Sequence, residues 1–190
     1  MKKFDLIAQV NKKKKLSLLR ANWQKQSFPN LIQRNFDKFK TKNVWYTDIT
    51  NLIFNKERNF FSAIIDGKMN IVAHYISKRE NWNLVKKTLD NALKTRKNEK
   101  NKIIIHSDQG GIYTSKRYRD YCEQSNLIIS MSRKANPLDN ALIESFFGLL
   151  KKETLYNNNF KSMKEYLDKV KWWIKFYNTK RIRYNENNFC

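Results

Sequence analysis

The chain has 190 residues and carries 39 Lys and Arg against 17 Asp and Glu, which gives a formal net charge of +22 and a pI near 10.0. This length holds one domain plus extensions, and the charge favours a polyanionic partner bound with little sequence preference, although a coding bias towards Lys and Asn would explain part of the excess. Two cysteines and two histidines, without a CxxC or paired-histidine pattern, argue against structural zinc and a disulfide framework.

Residues 1–40 predict a basic arm rather than a domain. They contain the run Lys12–Lys15, a possible short helix over 16–23 and the breaker Pro29. The start of the chain lacks the apolar stretch of a signal peptide, and no apolar run approaches the length of about 18 residues that spans a bilayer. We therefore expect a cytoplasmic protein without membrane contact.

Three segments rich in β-branched and aromatic residues follow the arm. They are VWYTDITNLIF at 44–54, FFSAIID at 60–66 and IVAHYIS at 71–77. Because the links between them are short and turn-like, they predict an antiparallel three-stranded meander.

Two helix-then-strand units come next. Asn81 predicts the cap of an amphipathic helix, and the apolar run Ile103–Ile105 predicts a buried parallel strand reached by that crossover. A helix over 115–124 and a strand over 127–130 repeat the unit. The prediction is an α/β fold with a mixed five-stranded sheet, three antiparallel strands and then two parallel ones, flanked by helices.

A mobile loop at 131–138 and two further helices complete the predicted elements. The first helix runs from about Asp139 to Leu155, and the second begins after Ser162, with Glu165 completing a capping box. The second helix predicts a buried face made of Met163, Tyr166, Leu167, Val170, Trp173, Ile174 and Tyr177.

Three carboxylates occupy positions that suit a metal site. Asp48 lies inside the first predicted strand, where an acid is disfavoured unless something binds it. Asp108 follows the fourth strand at its carboxyl end, where open α/β sheets place ligands, and Glu144 follows after 35 intervening residues, on a helix. If the first and fourth strands are neighbours, this trio can hold two Mg²⁺ or Mn²⁺ ions roughly 3.5 to 4 Å apart for phosphoryl transfer. Taken singly, each acid is better explained as a turn, cap or surface residue.

Four longer segments favour the metal site over that explanation. They are WYTDIT around Asp48, HSDQGGIYTS around Asp108, SMSRKANPLDNALIESFFGLLKKE around Glu144, and YNTKR near the end. Together they resemble the insertion-sequence transposases with a retroviral-integrase-like (DDE) catalytic core, encoded by a second reading frame. The resemblance implies a ribonuclease-H-like fold, metal-dependent DNA cleavage and strand transfer, and an acidic triad matching these three residues. We assign residues 41–181 to the catalytic core.

Basic and polar residues near the triad are candidate DNA contacts. Lys151 matches a basic residue that the family carries seven positions after its Glu, about two turns along the same helix face. An equally good explanation is that Lys151 and Lys152 are ordinary cations, which are favourable near a helix C-terminus. In the loop, Arg133, Lys134 and Asn136 predict contacts that hold DNA near the metal, with a plain solvated loop as the alternative.

The turn after Asp108 contains Gln109, Gly110 and Gly111, and glycine there would let a phosphate or metal approach the backbone. An ordinary strand-to-helix turn explains it equally well. His106 predicts a packed histidine that supports the site, and Asp139 and Asn140 most simply start the helix.

Departures from the family pattern raise a second hypothesis. Ala135 and Pro137 replace usual residues of the loop, and residues 182–190 differ from the usual continuation, so a truncated copy is expected. The chain also lacks a helix-turn-helix, which in the family lies in the upstream frame and recognises the element's ends. The first hypothesis is a transposase or integrase that acts on element ends and target DNA as a homo-oligomer. The alternative is an inactive remnant that binds DNA or another transposase subunit. A stand-alone nuclease is the third possibility.

Overall fold

The computed structural model describes residues 28–96, 102–134, 136–156 and 158–182, with only the backbone of Pro137. The helix predicted over 16–23, Ala135 and most of the tail lie outside these ranges.

The described chain contains one mixed five-stranded sheet, as predicted. Its strands are β1 (Val44–Phe54), β2 (Glu57–Asp66), β3 (Ile71–Ser77), β4 (Ile103–Ser107) and β5 (Leu127–Met131). The order across the sheet is β3-β2-β1-β4-β5. The pairs β1 with β2 and β2 with β3 are antiparallel, whereas β1 with β4 and β4 with β5 are parallel. The first and fourth strands are neighbours, which is the condition under which Asp48 and Asp108 can meet.

The described residues form four α-helices around the sheet: α1 (Trp82–Lys94), α2 (Lys116–Gln124), α3 (Ala141–Lys151) and α4 (Met163–Thr179). Asn81, Ser115 and Ser162 cap α1, α2 and α4, each side chain accepting a backbone N–H of the first turn. The carboxylate of Glu165 accepts the N–H of Lys161 at 2.8 Å, one residue before the partner that a capping box predicts. No helix in the described ranges is both long and apolar enough to cross a membrane.

The helix predicted from Asp139 to Leu155 has three parts in the structure. A 3₁₀ turn (Pro137–Asn140) leads into α3, and a π-helical turn (Lys152–Tyr156) follows it. Proline suits the first position of a helical turn because its φ is already fixed there. In the π-helical turn, the hydroxyl of Thr154 donates to the carbonyl of Leu150 at 2.7 Å, which stabilises the widened backbone.

The two faces of the sheet carry separate apolar cores because side chains alternate along a strand. Tyr46 and Phe61 pack on the side of α3 and α4, while Trp45 and Ile64 pack on the side of α1 and α2. Six of the seven residues predicted for the buried face of α4 are buried, and Leu167 is partly buried.

Residues 28–40, the described part of the predicted arm, lie against the core. Ile32 is only 1% exposed, and Phe36 and Phe39 pack on the same apolar cluster. The carbonyl of Pro29 accepts the N–H of Met131 at 3.3 Å. These contacts join the segment to the end of β5.

Candidate active site

The parallel pair β1 and β4 places two acids at matching positions. The last paired residues are Tyr46 on β1 and His106 on β4. Asp48 and Asp108 each lie two residues further along, so their side chains point to the same face of neighbouring strands. Both are half-buried, and Asp108 is the first residue beyond β4. This is the strand end where α/β sheets bind ligands.

The charge environment of Asp48 links the three predicted acids. The pKa of Asp48 is raised to about 7, chiefly by burial and in smaller part by the nearby carboxylates of Asp108, Glu144 and Glu80, while the hydrogen bond from the N–H of Ile49 acts to lower it. Glu144, on the first turn of α3, is exposed. Glu80 was not singled out in the sequence. Mutual repulsion of this kind is what a bound divalent cation would relieve.

A cleft of about 410 Å³ opens beside these acids. It is lined by Asp108, Gln109, Gly110, Ser132, Arg133, Lys134, Asn136, Asn140 and Glu144. The cleft therefore brings two members of the triad together with five of the other predicted site residues. Asp48, Gly111, Lys151 and Lys152 are not among the residues that line it.

The acids do not form a closed cage for one ion. Across the part of the chain that the structure describes, no three His, Cys, Asp or Glu side chains are arranged to hold a metal. Asp48 accepts the N–H of Ile49 at 2.7 Å, and Asp108 accepts that of Gly110 at 2.8 Å. One oxygen of each carboxylate is thus bonded to its own backbone, and the residues fit a cation by their chemistry and charge.

Gly110 makes room for the Asp108 carboxylate. A Cβ at Gly110 would lie 2.9 Å from Oδ1 of Asp108, whereas a Cβ at Gly111 would meet no atom within 4 Å. Gln109 joins this turn to the neighbouring loop, because its Nε2 donates to the carbonyl of Ser132 at 3.0 Å. The turn thus determines the position of the Asp108 carboxylate, a role that the sequence pattern did not reveal.

His106 is buried on β4, two residues before Asp108. Its Nε2 lies 3.0 Å from the carbonyl oxygen of Asp139, which can only accept, so Nε2 carries the proton. Its Nδ1 then accepts the hydroxyl of Ser130 at 2.8 Å, and that oxygen accepts the N–H of Leu31 at 3.0 Å. Burial lowers the pKa of His106 to about 4, in agreement with a neutral ring.

Asp139 has a larger role than starting a helix. Its fully buried carboxylate accepts the backbone N–H, Nε and Nη2 of Arg133, Nε of Arg34 and Nδ2 of Asn30, at 2.8 to 3.0 Å. These contacts, chiefly those from Arg133, hold the pKa of Asp139 well below its usual range. Nη2 of Arg34 also donates to Asn136 at 2.7 Å. Two predicted DNA contacts, Arg133 and Asn136, therefore already have partners within the protein, although Arg133 stays 58% exposed.

Asn140 is a second residue whose importance the sequence did not show. It is 2% exposed, lines the cleft beside Glu144, and makes no cap bond to α3. Within the described residues, neither Oδ1 nor Nδ2 of its amide has a hydrogen-bond partner. A buried amide without partners costs about 1–3 kcal/mol, which is typical of a group kept for a ligand.

The basic residues at the end of α3 differ in burial. Lys151 is half-buried, and desolvation lowers its pKa, whereas Lys152 is exposed. The next residue, Glu153, binds the guanidinium of Arg181 at 2.7 Å and the indole of Trp173 at 2.7 Å. The closing sequence motif is thus explained by packing.

Comparisons with known proteins match most of the chain. A family model described as "Integrase core domain" covers residues 40–137, and a second model with the same description covers 125–183. The putative transposase InsK for insertion sequence element IS150 of Escherichia coli is 37% identical over 158 residues, which cover 83% of this chain and 56% of that protein. An uncharacterized transposase-like protein of Haemophilus influenzae is 33% identical, over 81% of this chain and 71% of its own length.

Solved structures show the same fold. The simian T-cell lymphotropic virus intasome in complex with PP2A regulatory subunit B56 gamma matches with a TM-score of 0.64 at 19% identity, over 86% of this chain and 57% of the matched chain. The HTLV-2 integrase catalytic core domain in complex with magnesium matches with a TM-score of 0.54 at 17% identity, over 75% and 89%. The sheet and its helices therefore form a ribonuclease-H-like integrase core. The chain belongs to the family of insertion-sequence transposases that carry this core, and it spans about half the length of InsK.

Proposed function

We propose that this domain transfers DNA strands: it cleaves a strand at the end of a mobile element and joins the freed 3′-hydroxyl to target DNA. The observation that carries the proposal is the pair Asp48, within β1, and Asp108, just after β4, at matching positions of neighbouring strands. Asp108 and Glu144 lie close enough to Asp48 to add to the rise in pKa that its burial causes, and the cleft beside them is lined by Arg133 and Lys134. This combination suits a reaction at phosphorus, where negative charge must be balanced at both reacting oxygens.

Asp48, Asp108 and Glu144 would hold two divalent cations, Mg²⁺ or Mn²⁺. Their oxygen donors suit hard cations. Burial first, and then the neighbouring carboxylates, raise the pKa of Asp48, and a bound cation would offset both effects by stabilising the charged carboxylate. When bound, the cations supply activation of water or of a 3′-hydroxyl and stabilise the departing oxygen. No covalent protein intermediate is required.

The chain's own residues bind and orient the DNA. The unpartnered amide of Asn140 would bond a sugar or phosphate oxygen next to Glu144. Lys134 and the exposed side of Arg133 would bind the phosphate backbone, and Lys151 would contact the element end. The net charge of +22 attracts DNA from a distance and makes binding weaker in salt.

The proposal includes partners beyond this chain. Strand transfer joins two DNA ends to one target, so we expect several copies to assemble on DNA in the cytoplasm. Recognition of the ends would come from an upstream-frame protein with a helix-turn-helix.

A labelled DNA end and a target duplex test the function in Mg²⁺ or Mn²⁺. The proposal predicts that the wild-type chain nicks and joins DNA, that Asp108→Asn loses both activities, and that the matched control Asp37→Asn keeps them. All three proteins should still bind DNA. Asp37 is exposed and lies in the segment before the sheet. Equal behaviour of wild type and Asp108→Asn contradicts it and favours an inactive remnant, and cutting without joining favours a nuclease.

A further inference from the structure

The segment before the first strand contacts the loop that leads into α3. We propose that Arg34 and Asn30 are positioning residues that hold the loop at 132–140, and with it Asn140 and Glu144, in place against Asp108. Both residues precede the part of the chain that matches the family model, which begins at residue 40. The catalytic consequence rests on the proposed function, whereas the positioning itself does not.

The contacts to Asp139 differ in what they can anchor. Arg133 makes three of the five hydrogen bonds to this carboxylate, but it belongs to the same loop and lies six residues away. Arg34 and Asn30 come from 105 and 109 residues away and make the other two, at 2.8 and 3.0 Å. Among the residues that the structure describes, only these two tie the Asp139 carboxylate to a different part of the fold. Arg34 adds a second tie through Asn136.

The segment that supplies these residues is itself fixed. Ile32 is buried in the core, and the N–H of Leu31 bonds the hydroxyl of Ser130 at 3.0 Å. The side-chain oxygen Oδ1 of Asn30 accepts the backbone N–H of Ile32 and of Gln33, while the side-chain Nδ2 donates to Asp139. Arg34, 41% exposed at its side chain, has a φ of 62°, a left-handed conformation that surrounding contacts must maintain in a non-glycine residue.

Asp139 is also tied to the strand that carries the acid. Its carbonyl accepts Nε2 of His106, two residues before Asp108. A single residue therefore connects β4, the 28–34 segment and the start of α3. The next residue is Asn140, and Glu144 follows one turn later. If the hydrogen bonds from the 28–34 segment to Asp139 are lost, Asn140 and Glu144 become free to shift relative to Asp108.

Hydrogen exchange of the full chain tests the positioning without any DNA chemistry. In Arg34→Ala we expect the amides of 132–140 to exchange at least about fivefold faster than in wild type, with β1 and β2 unchanged. Arg34→Lys should be intermediate, because one ammonium cannot bind Asp139 and Asn136 as a guanidinium does. Arg58→Ala, the same change at an exposed arginine on β2, should match wild type.

Strand transfer supplies the second readout. In Arg34→Ala we expect kcat to fall about 10- to 100-fold because the reacting groups are displaced, while the Kd for DNA stays within about twofold. Arg34→Lys should recover part of kcat. Unchanged exchange at 132–140 in Arg34→Ala overturns the inference, and so does faster exchange spread evenly over the sheet. If wild type performs no DNA chemistry, the proposed function fails, and the exchange measurement still decides the positioning.

Discussion

The imidazole of His106 packs edge-on against the ring of Tyr46, with centroids 5.8 Å apart, directly behind the two acids of the candidate site. Tyr46 and His106 are the last residues paired between β1 and β4. The neutral state of His106 therefore supports both the sheet pairing and, through Asp139, the start of the 3₁₀ turn that leads to α3.

This burial predicts a loss of stability in acid. The pKa of His106 is about 4 in the folded protein against its ordinary 6.5, so the unfolded chain takes up the proton first. The contribution of neutral His106 to the free energy of unfolding is complete above pH 6.5. It is lost as the pH falls towards 4, and the total loss is about 3 kcal/mol. Urea unfolding at pH 7 and pH 5 should show wild type losing about 2 kcal/mol more than His106→Gln.

The comparison with the variant is needed because Asp48 acts in the opposite direction. Its pKa is raised to about 7, so it adds stability as the pH falls through that value in both proteins. Parallel pH dependence of the two unfolding free energies would show that His106 is not the group responsible.

Gly110→Ala should impair the reaction with little effect on folding. The added Cβ would lie 2.9 Å from Oδ1 of Asp108, and the carboxylate can move away because it ends a flexible side chain. We expect the strand-transfer rate to fall about tenfold or more, with more Mg²⁺ needed for half of the maximal rate. Gly111→Ala is the matched control, since its Cβ meets nothing within 4 Å. Equal rates in the two variants would contradict this role of Gly110.

Asn140→Ala should separate stability from activity. Removing a buried amide that has no partner among the described residues relieves a desolvation cost, so Tm should be unchanged or higher. Loss of a substrate contact should lower the rate of DNA cleavage about tenfold or more. A lower Tm together with an unchanged rate would assign Asn140 to the structure instead of the substrate.

Asn178→Ala should lower the stability of the fold and leave the reaction rate unchanged. The Asn178 amide bonds both the N–H and the carbonyl of Ile71, at 2.9 and 2.8 Å, at the start of the edge strand β3. Its removal should lower the free energy of unfolding by about 1–2 kcal/mol, while the rate per folded molecule is retained. Urea denaturation measures the free energy of unfolding of this variant. The matched control is Asn51→Ala, which changes an exposed asparagine on β1. A lower rate per folded molecule in a fully stable Asn178→Ala would place the residue in the reaction instead.

The fold was predictable because its signals are local. The β-branched and aromatic residues of 44–54, the caps Asn81 and Ser162, and the apolar run at Ile103–Ile105 are each signals carried by neighbouring residues. Short links and the crossover rule then predicted three antiparallel strands followed by two parallel ones. The π-helical turn at the end of the predicted helix was not predictable from neighbouring residues, and it makes contacts across the fold, such as that of Glu153 with Arg181, 28 residues further along the chain.

The candidate site was predictable only in part. Asp48 could be singled out because an acid is unusual inside a strand, Asp108 because it follows the apolar run Ile103–Ile105, and Glu144 because the family motif includes it. The contacts of Asp139 with Asn30 and Arg34 span more than 100 residues, and no spacing rule connects such positions. The unpartnered amide of Asn140 is likewise a property of packing, since the sequence shows only an asparagine at a helix start.

Anomalous diffraction from crystals of the full chain soaked in Mn²⁺ tests the central claim most directly. The account predicts manganese peaks in contact with the carboxylates of Asp48, Asp108 and Glu144, lost in crystals of Asp108→Asn. Manganese bound elsewhere, or absent from these carboxylates in a protein that still joins DNA strands, would contradict it.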